Sequence, residues 1–326
     1  MQNALIEAGA AVTAVPVFAE KKRRLPDLDQ ASRCLMVCSI NQIISPSLLL
    51  KWWKADHSLS FLPDPHPLTV LSEGKTAPEA IFREIERKDP ELDEVLSDYR
   101  RKGITVIPIS SSRYPTWLKA IYDPPAVLYA KGNTLLLEKG RKIGIVGTRK
   151  PTEDGIKAVG HLSAELSKKG WVIVSGLASG IDGLSHKASI RAKGLTIGVI
   201  AGGFHHIYPR ENLLLAEYMA EHHLLLSEHP PETKPKKWHF PMRNRIISGL
   251  SEGIVVVQGK EKSGSLITAY QALDQGREVF AVPGSIFNPY SGGPIKLIQE
   301  GAKAVLCAED IDGELTARCV QYTEPF

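Results

Sequence analysis

From residue 141 onward, short β-rich apolar runs alternate with helical patterns. No other feature of the chain constrains its fold as tightly. The runs are 143–146, 171–174, 196–200, 223–226, 254–257, 278–282 and 302–306. They are continuously apolar rather than alternating, as strands buried on both faces are. Helices between them supply the cover. The clearest spans 153–169, with Ile156, Val159, Leu162 and Leu166 on one face and Gly170 at its end. Thr152 is its candidate cap, and Glu153 and Asp154 in the first turn suit the helix dipole. The pattern predicts an α/β fold, a doubly wound, Rossmann-like, mostly parallel sheet over 141–311.

Ahead of residue 141 the chain reads as helical and irregular. Residues 1–30 are mildly apolar and then meet Glu20-Lys21-Lys22-Arg23-Arg24. A secretory signal puts its charge before the apolar core, so this segment is expected to be a poorly ordered extension of a cytoplasmic protein. A helical domain is expected over 31–110. Within it, Leu35-Met36-Val37 and Leu48-Leu49-Leu50 are separated by Pro46, and Pro63, Pro65 and Pro67 follow. Ile81, Ile85, Leu92, Val95, Leu96 and Tyr99 recur near helical spacing, which predicts a helical pair interrupted at Pro90. Residues 104–109 read as a short strand. Residues 111–140 read as a connector, turn-rich over 111–133, and 312–326 as a tail too short for another domain.

Composition narrows the class. The chain has 326 residues, about two domains' worth, and is 43% hydrophobic and 23% charged, as soluble globular proteins are. Lys and Arg number 40 against 36 Asp and Glu, a net +4, so any polyanion site must come from local clustering. Four cysteines, Cys34, Cys38, Cys307 and Cys319, are too few for a disulfide-stapled fold and lack partners for a metal set. Reduced structural thiols are expected. No stretch approaches the roughly 18 apolar residues of a membrane span.

In open parallel sheets, ligands bind beyond the carboxyl ends of the strands. The segments there are Gly147-Thr148-Arg149-Lys150, the 175–182 stretch with Ser175, Gly176 and Ser179, Ala201-Gly202-Gly203, and the 258–265 stretch ending Ser263-Gly264-Ser265. Each is rich in Gly or Ser, and most precede a helix start, where bare N–H groups attract anions. Any one could be a simple tight turn. Together, with Arg149 and Lys150 on the first, they predict one extended phosphate-binding edge. The densest basic stretch, 234–245, adds Lys234, Lys236, Lys237, Arg243 and Arg245, with Trp238 and Phe240 interleaved. It reads either as a polyanion surface or as a solvated loop with two aromatic anchors, and its lead into the fifth strand favours binding.

Other chemistries find little support. The first loop is not G-x-G-x-x-G, and no G-x-x-x-x-G-K-[ST] occurs, so neither a dinucleotide nor a P-loop nucleotide is expected. Asp182 and His186 share a helix face but have no nucleophile beside them, so a local hydrogen bond or cap is expected. The pairs His205-His206 and His222-His223 lack acidic or cysteine partners at ligand spacing. Ser175, Ser263 and Ser265 lack a nucleophile elbow. No catalytic residue, cofactor or metal is expected.

Taken in order, six segments resemble the DprA/Smf family of DNA-processing proteins. They are IGIVGTRKPTEDG (143–155), SGLASGIDGLSHKAS (175–189), IAGGFHHIYPREN (200–212), LLSEHPP (225–231), HFPMRNRIISGLSEGIVVVQGKEKSGSLITA (239–269) and QGREVFAVPGSI (275–286). The connector 113–133 also looks like that family's entry into its Rossmann domain. The resemblance covers about 111–311. It implies a dimeric protein that binds and protects incoming single-stranded DNA and loads RecA onto it during natural transformation. It implies a small SAM-like helical domain ahead of the sheet. The family's DNA pocket would map onto Gly147, Thr148, Arg149 and Lys150; onto Ser175, Gly176, Ser179, Gly202, Gly203 and Arg210; and onto Arg243, Asn244, Arg245, Ser263, Gly264, Ser265 and Thr268.

The chain departs from the family in three places. Residues 39–46 have no glycine where members commonly carry a helix-hairpin-helix pattern. Ser291-Gly292-Gly293-Pro294 replaces a usual Asn, and no winged helix is expected after 311. Two alternatives remain open at this point. One is a LOG-like nucleotide phosphoribohydrolase, although Thr268 and Gln271 stand where that chemistry needs a carboxylate. The other is a protein-interaction scaffold.

Overall fold

The apolar runs of the second half become the parallel centre of a sheet. The computed structural model describes residues 28–59 and 78–321. Among these residues nine strands pair in a single sheet. In chain order they are β1 (Ile104–Pro108), β2 (Val127–Gly132), β3 (Lys142–Val146), β4 (Val172–Ser175), β5 (Thr196–Val199), β6 (Leu224–Ser227), β7 (Gly253–Val256), β8 (Glu278–Ala281) and β9 (Lys303–Ala304). Their spatial order is β1-β2-β6-β5-β4-β3-β7-β8-β9. The pairs from β6 across to β9 are parallel, while β1 and β2 add an antiparallel edge.

Strands β3 to β7 are buried at every residue, because helices cover both faces. Alternate residues feed two cores. Ile143, Ile145, Ile173, Val255 and Phe280 point to one. Val146, Val172, Val174, Ile254 and Val256 point to the other. The helices are α1 (Gln30–Ile40), α2 (Pro46–Ala55), α3 (Pro78–Lys88), α4 (Leu92–Arg101), α5 (Thr116–Lys119), α6 (Glu153–Lys168), α7 (Ile181–Arg191), α8 (Leu213–His222), α9 (His239–Leu250), α10 (Gly264–Asp274), α11 (Gly292–Gln299) and α12 (Ala308–Gln321). Val159, Leu162 and Leu166 of α6 join Ile311 and Leu315 of α12 in the first core. Ile246, Ile247 and Leu250 of α9 and Leu266 and Ala269 of α10 fill the second, which runs on into α1 to α4.

Strand β3 neighbours β4 on one side and β7 on the other. The chain therefore winds outward through β4, β5 and β6 and then returns to the opposite side of β3. This reversal opens a crevice beyond the carboxyl ends of β3 and β7, the place where doubly wound sheets bind ligands.

The structure corrects several expectations. Residues 127–132 are not connector but β2, paired through Tyr129 with Ser227 of β6. With β1, this carries the sheet well ahead of residue 141, and α1 and α4 pack on that edge. Residues 312–321 continue α12, and Asp312 accepts a hydrogen bond from the Trp171 indole at 2.9 Å. Ile156 is 45% exposed rather than core. Strand β9 is only two residues long. Pro90 does interrupt a helical pair, as a 3-10 turn at Asp89–Glu91. Pro46 stands in the first turn of α2, where its missing N–H costs nothing. Cys34, Cys38 and Cys307 are free thiols. Of the expected extension over 1–30, residues 1–27 lie outside the described residues, as do the prolines at 63, 65 and 67, while Asp29 caps α1, which begins at Gln30.

Candidate functional site

The loop after β3 is clamped from both sides. Thr148 N–H donates to the Gln258 carbonyl at 2.7 Å, and the Thr148 carbonyl accepts from Ile181 N–H at 3.1 Å. The Gln258 side chain then locks the start of α6. Its amide donates to Thr152 Oγ1 at 2.7 Å, and its oxygen accepts from Thr152 N–H at 3.0 Å. Such close packing leaves no room at Gly147, where a Cβ would lie 2.6 Å from Ile181 Cγ1 and 2.9 Å from the Gln258 carbonyl. The clamp fixes the backbone and leaves the Arg149 side chain exposed at the mouth of the crevice.

Helix α9 forms the second wall. Phe240, Arg243 and Asn244 follow helical i, i+3, i+4 spacing and share one face. Arg243 is 6% exposed and lies on the floor, where its Nη1 donates to the carbonyls of Gly176 and Val199. It thereby ties the ends of β4 and β5 together. Burial pushes its pKa down to about 10, Asp182 opposes that shift and Arg149 adds to it. Asp182, 7% exposed at the start of α7, is pushed up by burial, and Arg243 and the backbone of Ala178 and Gly176 hold it back. Across the floor, Asn244 Nδ2 donates to the Gly264 carbonyl at 3.3 Å.

The start of α10 is the third wall. Ser263 precedes it without capping it through its side chain. Its hydroxyl instead meets that of Ser265 at 2.9 Å. Thr268 Oγ1 donates to the Gly264 carbonyl at 3.3 Å. Gly264 and Ser265 at the head of the helix line the crevice, which brings the positive end of the helix dipole to it. Lys260 and Lys262 stand exposed beside them, and the Lys260 ammonium lies 5.8 Å from the centre of the Tyr290 ring.

The three walls enclose a cleft of about 800 Å³. Its lining carries five basic residues, Arg149, Lys237, Arg243, Lys260 and Lys262, against one acid, Asp182. Tyr208 and Phe240 meet edge to face at 5.8 Å, and the Arg149 guanidinium lies 5.7 Å from the Phe240 ring centre. A cationic rim over partly apolar walls suits a chain of phosphates carrying flat groups.

Nine of the expected residues meet in this lining. Gly147, Thr148 and Arg149 come from the first loop, and Arg243 and Asn244 from α9. Ser263, Gly264, Ser265 and Thr268 come from α10 and its approach. The others sit elsewhere. Arg245 faces away from the cleft and forms a buried ion pair with Glu228, at 2.7 and 2.9 Å, with Asp123 at 3.2 Å. Two residues along a helix is a rotation of about 200°, so Arg243 and Arg245 cannot share a face. Ser175 is buried and gives its hydroxyl proton to the Ile145 carbonyl at 2.6 Å. Gly176 lies beneath Arg243. Gly202 and Gly203 are buried under the 230–235 segment, with Gly203 N–H on the Thr233 carbonyl at 2.8 Å. Lys150, Ser179 and Arg210 lie outside the lining.

The sequence reading placed Lys237, Phe240, Lys260 and Lys262 in basic or glycine-rich stretches without assigning them to the site. Tyr208 and Tyr290 it missed, since each is a lone aromatic brought in by tertiary packing. His186 is fully buried, with Nδ1 2.6 Å from Thr196 Oγ1. The partner is Thr196 of β5 rather than Asp182, so the local bond or cap expected within the Asp182–His186 pair gives way to a tertiary one. Near Thr268, Gln271 donates to the Pro241 carbonyl at 3.2 Å, which leaves Asp182 as the carboxylate of the lining.

A family model described as DNA recombination-mediator protein A matches residues 105–316. This is the family that the sequence segments resemble. The DNA processing protein DprA of Bacillus subtilis is 71% identical over 299 residues, which span 92% of this chain and 100% of that protein. The X-ray structure of DNA processing protein A from Streptococcus pneumoniae superposes with a TM-score of 0.73 at 37% identity, covering 86% of this chain and 95% of that one. The Helicobacter pylori protein, whose structure addresses its single-stranded DNA binding mode, gives a TM-score of 0.60 at 30% identity, covering 66% of this chain and 96% of that one.

Proposed function

The chain belongs to the DNA recombination-mediator protein A family, and from that footing we propose that it holds single-stranded DNA along the carboxyl edge of its sheet and mediates recombination without breaking bonds in its ligand. The observation that carries this reading is the exposed Arg149, held on a clamped loop across from Lys260, Lys262 and the start of α10. Arg149 and the lysines take backbone phosphates. The N–H groups of Arg149, Gly264 and Ser265 donate to phosphate oxygens, and the hydroxyls of Ser263 and Ser265 shape the turn beneath them. Phosphate contacts position a strand without reading its sequence, so binding is general rather than base-specific. Arg243 acts from the floor, supporting the cleft more than touching the strand.

The wider role is a protein that protects incoming single strands and passes them to RecA in the cytoplasm, working as a homodimer. The Helicobacter pylori relative, named for a single-stranded DNA binding mode, supports the ligand class.

A salt titration of binding to short oligonucleotides tests the reading. With three to five phosphates neutralised, log K should fall with log salt at a slope of roughly −2 to −3.5 for single strands. Single strands should bind more tightly than duplex of equal length. A preference for duplex, or binding insensitive to salt, would overturn it.

A further inference from the structure

The turn between β8 and α11 puts two adjacent large apolar side chains in water, Ile286 at 81% exposure and Phe287 at 88%. A single exposed apolar residue needs no explanation, but a neighbouring pair at the tip of an ordered turn marks a contact surface. The turn is closed by its own hydrogen bonds. Phe287 N–H donates to Ser285 Oγ at 3.2 Å, and Asn288 N–H to the Ser285 carbonyl at 3.0 Å. Tyr290 N–H donates to Asn288 Oδ1 at 2.9 Å, and Ser291 N–H to the Asn288 carbonyl at 3.0 Å.

The same turn is built into the cleft. The Tyr290 carbonyl accepts from Gly259 N–H at 2.7 Å, and the Tyr290 ring lines the cleft beneath Lys260. Three residues of chain keep the Phe287 backbone within about 11 Å of Tyr290. An apolar ring therefore stands just outside a cationic rim. Phosphates lying on Lys260 and Lys262 leave the bases of a single strand free to turn toward that ring. Every base has a π-face, so stacking there is sequence-tolerant.

We propose that Phe287, backed by Ile286, is a base-stacking post that extends the cleft by a nucleotide of single-stranded nucleic acid. The proposal rests on the single-strand reading above. Continuity of the turn with the cleft favours a base over a second copy of the chain or an apolar protein segment.

The test compares wild-type protein, Phe287→Ala and Phe287→Tyr by anisotropy of a labelled single-stranded oligonucleotide. Each is also measured on an abasic strand of equal length. Phe287→Ala should bind the normal strand roughly five- to a hundred-fold more weakly with the salt slope unchanged, and Phe287→Tyr should match wild type. On the abasic strand the three proteins should converge. Equal binding by Phe287→Ala and wild type, or a deficit as large on the abasic strand, overturns the post. So does a change in molar mass by light scattering at unaltered affinity, which gives the surface to a second copy. Failure of wild-type protein to bind any oligonucleotide instead overturns the single-strand reading itself.

Discussion

Arg245 and Glu228 meet as a bidentate pair, 2.7 and 2.9 Å apart, with side chains only 8% and 5% exposed. Burial alone would lower the arginine's pKa, but Glu228 and Asp123 outweigh it and raise it. The pair ties α9 to the loop after β6. Removing one partner strands a buried charge, so Arg245→Ala should lose about 3–5 kcal/mol of stability. The urea midpoint measures this. An Arg245→Met, Glu228→Leu double variant should recover much of the loss, because an apolar pair of similar volume leaves no buried charge unpaired, and Asp123, its side chain 43% exposed, is left to water. Oligonucleotide binding by the folded double variant should keep the wild-type salt slope. A flattened slope with an unchanged midpoint would return Arg245 to the phosphate surface.

Arg149 and Arg243 are both arginines of the cleft, and their substitution should separate. Arg149 is exposed, so Arg149→Ala should leave the urea midpoint nearly unmoved while weakening single-strand binding. The salt slope should become shallower by about 0.7 for the one phosphate lost. Arg243→Ala removes the donor shared by Gly176 and Val199 and leaves Asp182 buried beside the gap. It should lower the midpoint as well as the affinity. Equal stability of the two variants would show that Arg243 is not holding β4 and β5 together.

The parallel centre was legible because strands buried on both faces are continuously apolar. Strand β2 was not. Its Val127-Leu128-Tyr129-Ala130 run follows Pro124-Pro125 and ends near Gly132, so local turn signals masked it, and its partner lies about a hundred residues away in β6. The glycine loops 147–150 and 202–203 look alike in sequence. What separates them is the 230–235 segment, which covers the second and not the first. Arg245 was different, since helical geometry alone could have removed it from the cleft. Tyr208 and Tyr290 had no local signal.

Gly180 is the residue on which the Arg149 loop rests. Its φ is +74°, and a Cβ there would overlap the Thr148 carbonyl oxygen and lie 2.7 Å from the Arg149 carbonyl carbon. Both neighbours are backbone and cannot rotate aside. Gly180→Ala should cost roughly 1–3 kcal/mol for the strained backbone and shift the 148–149 peptide. Single-strand affinity should then fall with Arg149 still present. A variant with wild-type midpoint and affinity would mean that the loop tolerates displacement.

Acid should destabilise the fold before most carboxylates titrate. The Thr196 hydroxyl donates to the Ile173 carbonyl at 2.7 Å, so the His186 Nδ1–H donates to the Thr196 oxygen. Burial, with His223 and Arg243 nearby, pushes the His186 pKa down to about 3. Burial likewise pushes His223 and His229 down to about 4. In the unfolded chain each titrates near 6.5. Above that pH both states are neutral and the stability is complete. As pH falls below about 6.5 the unfolded state takes up protons that the folded state refuses, so stability declines toward pH 4. Asp182, raised by burial, works in the opposite direction over the lower part of that window. The urea midpoint should therefore drop between pH 6.5 and 4.5. His186→Leu should flatten the dependence by up to one proton, about 1.4 kcal/mol per pH unit. A midpoint that holds constant or rises across this window would show that these imidazoles are protonated in the fold.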